Sequence, residues 1–365
     1  MTDTCADYVV VGSGITGATI ARQLADAGLD VLVVERRGHT GGNVHDFRHD
    51  SGIRIHSHGP HYFRTNSDSI WEFVNRFTDF HLFRPIVYSL ADNRLAVWPL
   101  NKSYLISEVG PEWKPQMTAL PSNFEEASLA MMPQIIYDRF VRGYTIKQWG
   151  VEPRSLSKEL AGRFNVREDN DQFFSPHKHQ GIPLNGYASF MNKLLEGIPR
   201  ILDCDYLKER RSIRHLKKLI FTGPIDEFFG FRLGRLAYRA QKRSHEYLPE
   251  IGSFQPVCQV NNPGLENGPF IRTIEWRKMM PPEEICSIVG TVITREYPFS
   301  PDDPNDYEYP FPDEANRSLY QRYRAMTVSL KDTLICGRLG EYRYFDMDQA
   351  LARALMLSRE LLGSS

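Results

Sequence analysis

A chain of 365 residues exceeds what one hydrophobic core usually serves, so two or three domains are expected. A hydrophobic fraction of 41%, a charged fraction of 24% and a net charge of -1 describe an ordinary soluble globular protein and argue against a nucleic-acid partner held on a basic surface. Five scattered cysteines without a C-x-x-C pair imply no disulfide framework or zinc site and fit a reducing cytoplasm, and no apolar run approaches a membrane span or a signal sequence.

In chain order, Tyr8–Val11 is a short apolar run of β-formers, suited to a buried parallel strand. Gly12-Ser13-Gly14-Ile15-Thr16-Gly17 follows, then a helical pattern from Ala18 to Ala27 that Gly28 stops, then a second strand from Leu29 to Val34 ending in Glu35. Strand, G-x-G-x-x-G, helix, strand and acid form a dinucleotide-binding unit. Gly12 permits the tight turn, Gly14 lets backbone approach a pyrophosphate, Gly17 lets helix and strand pack closely, and Glu35 suits ribose hydroxyls. Just beyond lie the basic pair Arg36-Arg37 and Gly41-Gly42-Asn43, whose glycines let amides close on a phosphate from a second side. That extension resembles the fingerprint of flavoproteins that bind FAD rather than that of NAD dehydrogenases.

Ile53–His58 alternates like a strand, and Gly59-Pro60-His61 follows. His56, His58 and His61 have no acidic or cysteine partner nearby, so structural or cofactor-side roles are expected and no metal. Ser69–Phe77 reads as a helix, and from 78 to 149 the pattern is mainly helical with loops. Ser122-Asn123-Phe124-Glu125 is a capping box, Pro133 ends that helix and begins another, and Gly143 is its expected stop. Tyr144-Thr145-Ile146-Lys147-Gln148-Trp149 comes directly after, and its aromatic pair suits either stacking on a nucleobase or plugging a helix end. The segment from Glu152 to Pro183 is polar, with Arg163, Arg167, His177, Lys178 and His179. Ser189–Gly197 is a helix, and Lys218–Phe221 is a strand returning to the dinucleotide sheet. Arg272–Trp276 and Val289–Tyr297 alternate as antiparallel strands, Pro298–Pro312 is a loop, Thr333–Cys336 is a strand, and Asp346 caps a last helix from Met347 to Leu362.

Nearly end to end, the chain resembles the prokaryotic UDP-galactopyranose mutase family. The matching stretches include Val11-Gly12-Ser13-Gly14, His39-Thr40-Gly41-Gly42-Asn43, Gly143-Tyr144-Thr145 with Lys147-Gln148-Trp149, and Gln180-Gly181-Ile182-Pro183. Thr222-Gly223-Pro224-Ile225-Asp226, Glu296-Tyr297-Pro298, Gly337-Arg338-Leu339 and Asp346-Met347 continue the set. The resemblance implies an α/β fold, with an FAD-binding Rossmann-like, doubly wound domain, a helical insert and an antiparallel-sheet domain. The expected boundaries are 1–77, 186–239 and 313–365 for the FAD domain, 78–149 for the helical domain, and 150–185 with 240–312 for the sheet domain. It further implies a cytoplasmic isomerase, compatible with a homodimer, that interconverts pyranose and furanose forms of a nucleotide-diphosphate sugar. The family's reduced FAD attacks the anomeric carbon through N5 and carries the sugar as a flavin adduct, without net redox.

By the same resemblance, Arg167 and Arg272 clamp the diphosphate, with Tyr309, Tyr344 and Asp346 beside them and His61 at the flavin. Tyr144, Thr145, Trp149, His179, Arg64 and Asn262 fall to the substrate. Gly12, Gly14, Gly17, Glu35, Arg36, Gly42, Asn43, His61, Arg338 and Met347 fall to the cofactor. Pro60, Arg64, His179 and Pro99-Leu100-Asn101 depart from the family pattern. They leave open a sister mutase acting on a TDP- or GDP-linked hexose or deoxyhexose. A flavin oxidoreductase and a non-catalytic binder on the same fold are the remoter alternatives.

Overall fold

The computed structural model describes residues 4–115, 120–164 and 166–363. Strands Thr4–Val11, Val31–Val34, Arg200–Ile201, Ile213–Phe221 and Thr333–Ile335 form a parallel five-stranded sheet. Numbered in chain order, they lie 3-2-1-4-5 across it. The order reverses between Thr4–Val11 and Ile213–Phe221, and the crevice at the carboxyl ends of those two strands is where such sheets bind ligands. Val9, Val10, Val33 and Val34 are fully buried in this sheet, which explains their unbroken apolar run. Helix Ile15–Asp26 covers one face and packs against the last helix, Met347–Gly363.

A second, seven-stranded sheet runs Tyr309–Pro310, Tyr238–Leu248, Thr291–Phe299, Arg272–Glu275, Gln259–Asn261, Val87–Ala91, Arg94–Trp98. Only Gln259–Asn261 with Val87–Ala91 is a parallel pair among its neighbours. The last two strands come from the segment read as helical. They form a hairpin whose tip, Asp92-Asn93, has φ of 51° and 59°, the left-handed pair that a two-residue hairpin turn needs and that Asp and Asn tolerate. Strands Phe63–Thr65, His179–Pro183 and Phe80–Leu82 make a small antiparallel three-stranded sheet, with His179–Pro183 in the middle.

Two helix ends differ from the sequence reading. Asn123, one residue later than the expected cap, accepts from the Glu126 amide, while Ser122 donates twice to the Glu126 carboxylate. The following helix does not stop at Gly143. It passes through a π-helical stretch, Tyr137–Arg142, into helix Gly143–Trp149, and ends at Gly150 with φ 72°. Gly143 is helical, and its missing side chain serves contact instead, since a Cβ there would lie 2.3 Å from the Pro263 carbonyl oxygen. Tyr144 and Gln148 are therefore on a helix, one turn apart on the same face.

Candidate functional site

Three connected cavities follow from this arrangement. The first, about 1180 Å³ with its mouth, opens at the switch point of the parallel sheet. Gly12 has φ 98°, and a Cβ on it would strike Thr222 Oγ1 at 2.1 Å; one on Gly17 would strike the Gly12 carbonyl oxygen at 2.0 Å. Gly14 is different: a Cβ there meets nothing within 4 Å, so it faces the open cleft at the start of helix Ile15–Asp26, whose first amides point the same way. Gly42, φ 54°, brings the second glycine turn against Gly14, whose Cα lies 3.1 Å from the Cβ position. Glu35 is buried at the cleft wall and accepts from the Ser13 amide at 2.8 Å, the Ser13 hydroxyl at 2.7 Å and the Arg37 amide at 2.9 Å. Arg36 is tied to Glu227 at 2.9 Å, and Asn43 accepts from Arg37 at 3.1 Å. A cradle of bare glycine backbone, a helix N-terminus and an acid two strands deep fits a dinucleotide pyrophosphate and ribose.

The cleft runs into a junction lined by His61, Arg338 and Met347 on one side and Arg272, Tyr309 and Tyr344 on the other. Arg338 donates to the Phe345 carbonyl at 2.8 Å and lies 5.0 Å from the Tyr344 ring centre. Burial, then Arg338 and Arg243, push His61 down to about 3, so its ring is neutral near pH 7, and its Nδ1 is buried without a partner.

Beyond the junction lies the third cavity, on one face of the seven-stranded sheet. The strand register aligns Ser89, Asn261, Arg272, Glu296 and Arg243 in one row across five strands. Glu296 is fully buried and accepts from both Arg272 Nε and, at 3.1 Å, Arg243 Nε. Arg243 also bonds Glu308 in a two-pronged pair at 2.8 and 2.9 Å. Burial works against the charge of Glu296, but Arg272 and Arg243 outweigh it and hold the carboxyl below its ordinary range. Arg272 is thus fixed as a cation while its Nη groups remain for a ligand.

Around Arg272 stand the other polar groups. Tyr309 and Tyr344 lie 6.2 Å apart with nearly parallel rings. Arg163 sits 4.0 Å over the Tyr344 ring and is open to the cavity. Asp346 accepts from Arg64 at 3.2 Å and from the Tyr344 hydroxyl at 2.9 Å. Its side chain is turned away from the helix it was expected to cap, and that helix start is instead closed by Gln349, which accepts from the Asp346 amide. Burial pushes the Tyr309 hydroxyl up to about 12, so it stays a proton donor at neutral pH. Tyr144, Gln148 and Trp149 line the far wall.

The structure does not gather every residue assigned from the sequence. His179 stacks on Trp71 at 5.1 Å and bonds Asp68 at 2.6 Å, outside all of the cavities described; strand alternation turns its neighbour Gln180 inward, where it donates to the Ser175 and His177 carbonyls. Asn262 is buried behind the sheet, where its amide holds the Asn267 and Phe270 carbonyls. Thr145 is fully buried on the back of its helix. Arg167 reaches only the rim and is held by Asp169 at 2.7 and 2.9 Å and Asp171 at 3.3 Å; Arg163 has the inner position. Arg163 was visible in the sequence, but nothing in its neighbours singled it out. Gln241, Arg243 and Glu308 carried no local motif; strand register places Gln241 on the cavity wall and Arg243 behind Glu296, and the Arg243 pair holds Glu308.

A family model described as UDP-galactopyranose mutase matches residues 139–344, and one described as an NAD(P)-binding Rossmann-like domain matches residues 10–77. The chain is 32% identical to a probable UDP-galactopyranose mutase of Klebsiella pneumoniae, over 98% of this chain and 95% of that protein. It is 30% identical to the dTDP-fucopyranose mutase of Escherichia coli, over 95% of this chain and 96% of that protein. Its fold matches a crystal structure of reduced UDP-galactopyranose mutase with a TM-score of 0.76 at 15% identity, covering 99% of this chain and 94% of that one.

Proposed function

The chain belongs to the UDP-galactopyranose mutase family of isomerases, and from that premise we propose that it interconverts the pyranose and furanose forms of a nucleotide-diphosphate sugar of the UDP-galactose type with bound FAD. The observation that carries this reading is the continuity of the three cavities: a dinucleotide cradle opens, at His61 and Arg338, onto an arginine- and tyrosine-lined pocket. In this reading the Gly12, Gly14 and Gly17 cradle and Gly42 hold the pyrophosphate of FAD, Glu35 its ribose, and Asn43, His61, Arg338 and Met347 its ring end. Reduced flavin supplies a nucleophilic nitrogen at no net redox cost over a turnover.

The protein's own part is binding and charge stabilisation. Arg272, Arg163 and Arg64 converge on one cavity and suit a diphosphate, whose charge rises as it leaves the anomeric carbon. The Tyr309 and Tyr344 hydroxyls add donors, Asp346 orients Tyr344 and Arg64, Tyr144 presents a ring to the base, and Trp149 walls the sugar side. Neutral His61 adds no further charge to the Arg338 and Arg272 cations at the junction.

A dTDP-linked deoxyhexose is the second reading, favoured by the similarity to the Escherichia coli enzyme. The deciding experiment is anaerobic. Dithionite-reduced, yellow-when-oxidised protein is incubated with UDP-galactose and dTDP-fucose, and pyranose and furanose forms are separated by chromatography. Many turnovers per reduction are expected, none from the oxidised form, with borohydride-type trapping leaving sugar on the flavin. Equal activity in the oxidised protein, or one reductant consumed per product, rules the reading out.

A further inference from the structure

The floor of the substrate cavity carries a second polar feature, two residues along the strand from the charged row and on the same face. Gln241 is 5% exposed and lines the cavity. Its Nε2 donates to Gln148 Oε1 at 2.7 Å, while its Oε1 is buried and accepts from no group among the described residues. Its cross-strand neighbour is Pro298, which has no donor to offer it. A buried carboxamide oxygen without a partner is costly, and one on a cavity wall is a place for a ligand donor.

The pair is fixed before any ligand arrives. Arg239, itself 6% exposed, donates from Nε to the Gln148 carbonyl at 2.7 Å, from Nη2 to the Lys147 carbonyl at 3.2 Å, and from Nη1 to Ser300 Oγ at 2.6 Å. Its cation therefore sits on the carbonyl end of helix Gly143–Trp149, where the helix dipole favours it, and anchors the backbone that carries Gln148. Gln148 Nε2 donates to no acceptor among the described residues. The two amides thus present one free donor group and one free acceptor side by side. Exchanging oxygen and nitrogen in both leaves that pattern unchanged.

Resting on the nucleotide-sugar reading above, we infer that Gln148 and Gln241 bind a vicinal diol of the substrate, with one hydroxyl donating to Gln241 Oε1 and its neighbour accepting from Gln148 Nε2. A diol is the chemistry that supplies one donor and one acceptor on adjacent atoms without charge. Both the ribose of a ribonucleotide and the hexose offer it. Gln148 lies one turn after Tyr144, so a nucleoside stacked on Tyr144 brings its ribose to this height, and a 2′-deoxyribose cannot present the pair.

The test compares wild type, Gln241→Leu, Gln241→Glu and Gln148→Met with UDP-galactose and its 2′-deoxyuridine analogue, bound flavin absorbance serving as the check of folding. Gln241→Leu is expected to lower kcat/KM for UDP-galactose roughly ten- to a hundred-fold, mainly through KM. Gln241→Glu keeps an acceptor oxygen and recovers part of the loss, and Gln148→Met, which frees the Gln241 side chain, raises KM in the same sense. If the ribose is bound, wild type prefers the ribonucleotide and Gln241→Leu erases the preference. If the hexose is bound, both substrates lose equally. Unchanged kcat/KM in a flavin-loaded Gln241→Leu or Gln148→Met protein overturns the inference. A wild-type protein that converts no nucleotide sugar instead overturns the mutase reading.

Discussion

Arg272 and Arg163 face the same cavity but are built into the protein differently. Arg272 neutralises Glu296, a carboxylate with no exposed surface. Arg163 lies on an aromatic ring and donates to no protein acceptor among the described residues. Removing either takes away charge-assisted contacts worth about 1.5–3 kcal/mol to a bound diphosphate, so kcat/KM should fall roughly ten- to a hundred-fold in Arg163→Ala and in Arg272→Ala. Only Arg272→Ala should also lower thermal stability, since it leaves Glu296 buried with Arg243 as its remaining partner. Equal melting temperatures for the two variants would show that the Arg272–Glu296 pair is not structural. Lys at 272 should rescue stability better than turnover, because an ammonium cannot bridge Glu296 and a phosphate in one plane.

At the scale of single elements, glycine positions separate function from folding. Gly14 has ordinary extended backbone, φ -66° and ψ 177°, and open space beyond its hydrogen. Gly14→Val should therefore fold and fail to retain flavin, read from the absorbance of the purified protein. Full flavin content would mean that the cradle holds something else. Gly143 is the opposite case, facing the Pro263 carbonyl across a helix contact. Gly143→Ala should cost about 1–3 kcal/mol by forcing helix Gly143–Trp149 off the loop that carries Pro263. Gly162→Ala, where nothing lies within 4 Å, serves as the control in urea unfolding. Since Tyr144 and Gln148 ride on the displaced helix, the same variant should raise KM.

For the whole molecule, the buried histidines around the junction predict acid sensitivity. Burial, assisted by neighbouring cations, pushes His45 to about 4, His61 to about 3 and His58 to about 2, and His56 well below 6.5. Their pKa values are depressed on folding, so the unfolded chain takes up protons first as pH falls. The stability they contribute is complete above about pH 6.5 and is lost progressively below it, at a limit of about 1.4 kcal/mol per pH unit for each histidine. Asp226, raised by burial to about 6, acts in the opposite sense between that value and 3.8 and flattens the lower part of the curve. Urea midpoints should fall from pH 7.5 to 5.5, and His58→Gln should reduce the slope. A flat profile would show that these rings are protonated in the folded state.

The dinucleotide half was legible because its signals are local: an apolar strand, three glycines at fixed spacing, a helix and an acid all lie within 35 residues, and their backbone geometry follows from steric freedom at Gly12 and Gly41. The later strands Ile213–Phe221 and Thr333–Ile335 were also readable, since buried parallel strands need unbroken apolar runs. The hairpin Val87–Trp98 has a local signal as well, Asp92-Asn93 between alternating residues, but it is short and set among helical patterns. The substrate pocket was different. Its charged row joins residues from 89 to 296, and whether a side chain in a strand faces ligand or core changes with a one-residue shift of register. Alternation carried His179 away from the cavity, and register brought in Gln241 and set Arg243 behind Glu296, because only the assembled sheet fixes which of two faces each strand residue takes.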